Sequence, residues 1–302
     1  MIVRDHLPWL RVWPQVSRKL GLLLVLDTTI AVCYVFLGAT FLAVPSLPLG
    51  IIGSALSIFL GFRTSSAYDR WWEARSLWGS LVNQSRTMAR QVVTLIQADR
   101  HEQEAARELQ RRLVVLQICY VHALRCHLRN QVPFAELRRW LDAETIETLR
   151  AHANVPSAML TMMGEGLRDA WERGWLDSMR WTTIDRTLTE LTNVQGGCER
   201  IKNTPMPKQY DYFPRVLVGF FCILLPFGLV QGLGMLTPLA STCLSLIFIT
   251  LDRIGREIEQ PFENTVQDTP MTALSRTIEI NLRQLLGERA PRELSPVAGF
   301  VY

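Results

Sequence analysis

Two long blocks of this chain carry almost no charge, and nothing else in the sequence restricts its fold as strongly. From Leu20 to Phe62 the one formally charged residue is Asp27, and from Val216 to Leu251 there is none. Charged residues crowd the region between, from Arg63 to Arg215. A bilayer core about 30 Å thick takes about 20 helical residues per span. Each block is too long for one span and suits two. Breakers sit near each middle: Pro45, Pro48 and Gly50 in the first, Gly232, Gly234 and Pro238 in the second. Backbone groups in hydrocarbon must bond within their own segment, so the spans are helices. The pattern predicts two helical hairpins, about 20–44 with 48–70 and about 212–231 with 235–254. A soluble core helix would keep a charged face, and these blocks have none.

Lys and Arg placement sets the expected orientation. Arg4, Arg11, Arg18 and Lys19 precede the first block, and Arg63, Arg70 and Arg75 follow it. Lys208 with Arg215, and Arg253 with Arg256, bracket the second, while both hairpin tips are uncharged. Both termini and the middle are therefore expected in the cytoplasm of a multi-pass protein of the cell (inner) membrane. The expected organisation is a cytoplasmic segment (1–19), a first transmembrane hairpin (20–70), a cytoplasmic helical domain (71–211), a second hairpin (212–256) and a cytoplasmic tail (257–302). The fold class is thus an all-α integral membrane protein with four spans.

The middle region reads as helices throughout. Leu77 to Ile96 has helical apolar spacing and is expected to continue the second span without a break. Further helices are expected over His101–Leu128, as two short pieces within Phe134–His152, and over Pro156–Trp175 and Asp177–Lys202. The tail has one amphipathic helix. Asp268 or Thr269 is its expected cap, Pro270 suits its first turn and Gly287 its end. Leu274, Ile278, Leu282 and Leu285 make its apolar face.

Several chemistries lack their signatures. There is no GxSxG, no HExxH and no P-loop, so an enzyme is not expected. Cys119, His122 and Cys126 share a helical face, but no fourth metal ligand follows, and their neighbours are apolar. Ordinary core packing is the expected role, with no metal and no cofactor. The six cysteines have no CxxC spacing, which suits a reducing interior. No nucleic-acid partner is expected; the partners are the lipid bilayer and the ions that cross it.

Asp27 is an acid inside a span, either a structural polar contact or part of an ion path. On the second span, Ser54, Ile58 and Phe62 recur every four residues and share one face, while the small residues Gly53, Ser57 and Gly61 lie on another. A ring of such helices would place an apolar constriction on its axis, of the kind that gates by dewetting. Simple bundle packing would give the same periodicity.

The run FLGFRTSSAYDRWWEARSLWG, Phe59 to Gly79, resembles the signature that follows the second membrane helix of bestrophins in their prokaryotic form. GGCERIKNTPMP (Gly196 to Pro207), LLPFGLV (Leu224 to Val230), EQPF (Glu259 to Phe262) and TIEINLRQLLGE (Thr277 to Glu288) match in the same order. The resemblance implies a homopentameric ion channel with one axial pore. It would conduct monovalent ions: chloride or other anions by resemblance, with cation selectivity also open. A membrane receptor or scaffold without conductance is the alternative.

The resemblance places the hydrophobic neck of the pore at Ser54, Ile58 and Phe62. Ser54 departs from the bulky residue usual there. It places a cytoplasmic aperture near Thr182, with Met179 one turn away. Asp27, Arg63, Asp69 and Glu73 are candidate ion-path charges. Arg63 either attracts anions or ends its span on the positive-inside side, and Asp69 and Glu73 either line the pore or form salt bridges. The acidic run that forms a calcium clasp in calcium-activated members is here reduced to Glu263 and Asp268, so no calcium gating is expected.

Overall fold

The computed structural model describes residues 9–295. Arg4 and His6, and residues 296–302 of the tail, lie outside them. All of the regular structure among the described residues is helical. The chain divides into two compact units, one from residues up to 71 with 205–260, the other from 72–204 with 261 onward.

The first unit holds the apolar blocks. Its helices are α1 (Trp9–Phe36), the N-terminal part of α2 (Ser46–Leu95), α8 (Lys208–Leu233) and α9 (Thr237–Ile258). Three stretches are long and apolar enough to cross a membrane: Val16–Phe36, Pro48–Leu95 and Gln209–Ile258. The last contains both α8 and α9, joined by the short 3-10 turn Gly234–Leu236.

The turns differ from the expected ones in position. α1 ends at Phe36, well before 44, because Gly38 takes a left-handed φ of 65°. Only glycine does this without steric cost. A 3-10 turn, Thr40–Leu42, then leads to α2. Pro48 does not break α2, since it sits in the first turn, where no intrahelical N–H is needed. In the second block the reversal falls at Gly234, φ 49°, and Pro238 lies in the first turn of α9.

The core of this unit is small. Leu56 and Leu60 of α2 pack with Val218, Phe221, Cys222 and Leu225 of α8 and Phe248 of α9. Phe221 and Phe248 meet edge to face, with ring centroids 4.9 Å apart. α2 approaches α8 closely: a methyl group on Gly53 would lie 2.9 Å from Phe221, and one on Gly228 would lie 2.0 Å from Leu49. Small residues permit this approach where lipid supplies no hydrophobic drive between helices. Much of the remaining surface is apolar and exposed, including Leu22, Val25, Phe36, Phe220, Leu239 and Ile247. Such a surface is unfavourable in water and suited to lipid.

The second unit contains the rest of α2, then α3 (Gln103–Leu128), α4 (Phe134–Leu137), α5 (Ala143–Arg150), α6 (Val155–Glu172), α7 (Ser178–Asn203) and α10 (Met271–Leu285). α2 is one uninterrupted helix of 50 residues, as the spacing from Leu77 to Ile96 predicts. α3 is the central element: Leu113 to Leu124 is buried without interruption, and α6, α7 and α10 pack around it. Asp142, Asn154 and Asp177 cap α5, α6 and α7 by accepting backbone N–H bonds.

α10 departs from its expected capping. Pro270 is its N-cap and offers no side-chain acceptor. Asp268 instead accepts the backbone N–H and the hydroxyl of Thr265, closing the loop before the helix. Gly287, at φ 72°, follows the last turn as expected. Ile278 and Leu282 are buried and Leu274 packs against the core, but Leu285 is exposed.

Glu279 ties α10 to α3. Its carboxylate lies 3.4 Å from His122 Nε2 and 3.0 Å from Arg276 Nη1. Burial raises its pKa, but the His122 hydrogen bond and the Arg276 and Arg283 charges outweigh burial and hold it below the ordinary value of 4.5. A folded-state pKa below the unfolded one stabilises above the unfolded value, and the benefit is lost as pH falls through the folded value. Glu279→Gln should therefore lower the melting temperature at neutral pH, and the gap to the parent should close in the acid range. A gap independent of pH would contradict this ion pairing.

Candidate ion-path residues

Before Trp72, α2 has two faces of opposite character. Leu49, Leu56, Leu60, Arg63 and Ala67 are buried, spaced by seven, four, three and four residues. That spacing keeps them on one side of a helix of 3.6 residues per turn. Ser54, Ile58 and Phe62 lie on the other side. Ile58 is 62% exposed and Phe62 68%, and Ser54 is exposed as well. The Ser54 hydroxyl donates to Gly50 O at 2.9 Å, so its hydrogen-bonding is met within its own helix. Two large apolar side chains thus stand one turn apart, mostly uncovered by the described residues.

Arg63, next to Phe62, points the opposite way. Its side chain is 1% exposed and reaches three carboxylates within its unit. Nη1 donates to Asp252 Oδ1 at 2.8 Å, and Nη2 to Asp211 Oδ1 at 2.9 Å, with Glu259 Oε2 at 3.5 Å. Asp252 also accepts from Arg256, and Arg70 Nε donates to Glu259 O. The planar guanidinium suits this role, because its fixed fork serves several acceptors at once. The network joins α2 to α8, α9 and the residue after α9.

Asp27 is fully buried on α1, which packs on α8 and α9. Thr242 Oγ1 donates to its Oδ2 at 3.2 Å. Oδ1 has no hydrogen-bond donor among the described residues. α9 carries buried Thr237, Ser241 and Ser245 at four-residue spacing, a polar stripe on the same helix as Thr242.

Asp69 lies seven residues beyond Phe62, on the same face of α2, and is exposed. No basic side chain pairs with it among the described residues. Glu73 differs: it forms an ion pair with Arg200 of α7 within the second unit. Met179 is 81% exposed in the first turn of α7, and Thr182 is exposed one turn on. Thr182 Oγ1 donates to Ser178 O at 2.8 Å. Glu263 pairs with Lys202 at 2.6 Å and Asp268 is taken by Thr265, so the two residual carboxylates serve separate contacts.

The face shared by Cys119, His122 and Cys126 holds no metal geometry; among the described residues no group of three such side chains gathers. Burial pushes the Cys119 thiol up to about 12, with Glu279 adding to the shift. It is therefore a protonated thiol at neutral pH, a poor metal ligand. His122 is held between Glu136 and Glu279 instead. All six cysteines are free.

Asp211, Asp252 and Glu259 have no sequence signal as partners of Arg63. Asp211 and Asp252 lie 148 and 189 residues from it, and only the folded unit brings them together. Glu279 and Glu136 as partners of His122 are equally invisible to spacing.

The helices, the lipid-suited surface and the uncovered apolar row of α2 define an all-helical membrane protein. Residues 9–284 match the family model described as Bacterial/Fungal Bestrophin protein, and the chain belongs to that family. Among curated relatives, a "Voltage-dependent anion channel-forming protein" of Ralstonia nicotianae is 36% identical, covering 100% of this chain and 99% of the relative. Voltage-dependent anion channel-forming protein YneE of Escherichia coli is 35% identical, covering 98% of each. The crystal structure of a bacterial bestrophin homolog from Klebsiella pneumoniae superimposes with a TM-score of 0.84 at 32% identity, over 91% of this chain and 99% of that one.

Proposed function

We propose that this chain forms an anion channel, assembled as a homopentamer around one axial pore in the cell (inner) membrane. Five copies of α2 would turn Ser54, Ile58 and Phe62 inward as the neck. The observation that carries this reading is the exposed pair Ile58 and Phe62 on a helix whose other face is already packed. The names of the relatives support anions as the permeant class. The Lys and Arg distribution supports both termini in the cytoplasm. Met179 and Thr182 are assigned to the cytoplasmic aperture, and Asp69, which has no ion pair among the described residues, is assigned to the ion path on the neck face of α2.

The neck works by sterics and dewetting. An apolar ring strips part of an ion's hydration and offers nothing in return, so its radius governs flux. Arg63 is assigned to holding α2 in register through its three carboxylates. Asp27 is assigned to the α1–α9 contact through Thr242. In this reading the protein performs no catalysis and binds no nucleic acid.

Liposomes loaded with chloride and containing purified protein should release it down a gradient, and the protein should have the mass of five subunits. Chloride retained by liposomes that contain verified oligomers would count against conduction and favour a receptor or scaffold.

A further inference from the structure

Within the second unit, α3, α4 with the residues after it, α10 and the tail residues Pro291 and Leu294 line an open cavity of about 460 Å³. Four guanidiniums line it, from Arg125, Arg139, Arg276 and Arg283, against two carboxylates, Glu136 and Glu279. Both carboxylates are already engaged. Glu136 accepts from Arg125, and Glu279 pairs with Arg276 at 3.0 Å and Arg283 at 4.0 Å. Glu288, outside the lining, takes Arg283 Nε at 3.3 Å. Arg139 has no ion pair among the described residues.

Positive charge is therefore in excess, and two guanidinium donors in the lining are unused. Arg125 is 6% exposed, yet its Nε has no acceptor. Nε of Arg276 also lacks an acceptor. Buried donors are rarely left without acceptors. An oxyanion accepts several N–H groups at once and matches the guanidinium fork. Trp140, with Arg283 stacked 5.3 Å from its ring centre, and Leu294, which is exposed, add an apolar wall. The volume lies within the usual range for a small-molecule site.

We propose that this cavity binds a soluble organic anion whose phosphate or carboxylate is held by Arg125, Arg139 and Arg276 and whose apolar part rests on Trp140 and Leu294. A bound anion would bridge α3, the segment after α4 and α10. The proposal does not depend on conduction.

Isothermal titration of the full-length protein in detergent, in phosphate-free buffer, tests it with inorganic phosphate, phenyl phosphate and a short-chain phosphatidate. Phenyl phosphate should bind saturably and more tightly than inorganic phosphate, which cannot use the apolar wall. Arg139→Gln and Arg276→Gln should each weaken it about tenfold, the value of one charge-assisted contact. Arg168→Gln, whose side chain pairs with Glu172 elsewhere on the unit, should bind like the parent. Arg139 is exposed and unpaired, so its variant should melt like the parent. No saturable binding of phenyl phosphate, or undiminished binding in a normally melting Arg139→Gln protein, would overturn the site. Tighter binding of phosphatidate than of phenyl phosphate would overturn the soluble source and make the ligand a lipid headgroup.

Discussion

Replacing Ile58 and Phe62 together with alanine should raise single-channel conductance severalfold and leave the proposed oligomer intact. Both side chains are exposed on α2, and neither belongs to the core that holds α2 against α8. Truncating them therefore removes bulk from the proposed pore axis without opening a cavity inside the unit. In the proposed pentamer five copies of each change would act on one constriction, so the expected effect on radius is large. A wider, less apolar ring also stays wet more easily, which lowers the barrier to entry. Ser54→Leu should act in the opposite direction, since it restores a third bulky ring. Planar-bilayer recordings of protein with verified subunit number measure both. Unchanged conductance in the double variant would remove these residues from the neck.

Arg63→Ala is expected to cost about 3 kcal/mol of stability, because it removes the buried cation shared by three carboxylates and leaves buried Asp252 with Arg256 alone. Asp252 is 5% exposed and depends on Arg63 and Arg256. Arg63→Lys should recover only part of the loss, since an ammonium lacks the fork that serves Asp252 and Asp211 together. Asp211→Asn should be mild, because Asp211 is partly exposed and also paired to Arg215. Melting temperatures in detergent would rank the three. The same variants separate the two roles open to Arg63. A positioning residue lowers stability first, whereas a residue that attracts anions in the pore would shift the reversal potential of a normally stable protein.

The long apolar helices were legible because lipid imposes a composition on every residue of a span, and charge is easily counted. Their turns were less so. Three breakers in the first block pointed to its proline and glycine run, yet the reversal falls at Gly38, where φ is positive, and Pro48 is absorbed into a first turn. A proline limits a helix only from its interior, and composition does not say which positions are interior. The cap of α10 failed for a related reason: Asp268 found a nearer donor in Thr265.

Side-chain partners over long separations were not legible at all. The four-residue spacing of Ser54, Ile58 and Phe62 fixes a shared face but not what that face meets. Arg63 was open between attracting anions and ending its span on the positive-inside side; its carboxylates come from two other helices and the residue beyond α9. Glu73 was open between pore lining and salt bridging, and its pairing with Arg200 required α7 to be in place.

The reversal potential of purified protein in planar bilayers under an asymmetric NaCl gradient tests anion conduction most directly. The expected result is a shift toward the chloride equilibrium potential. A shift toward the sodium potential, or silence from verified pentamers, would contradict it.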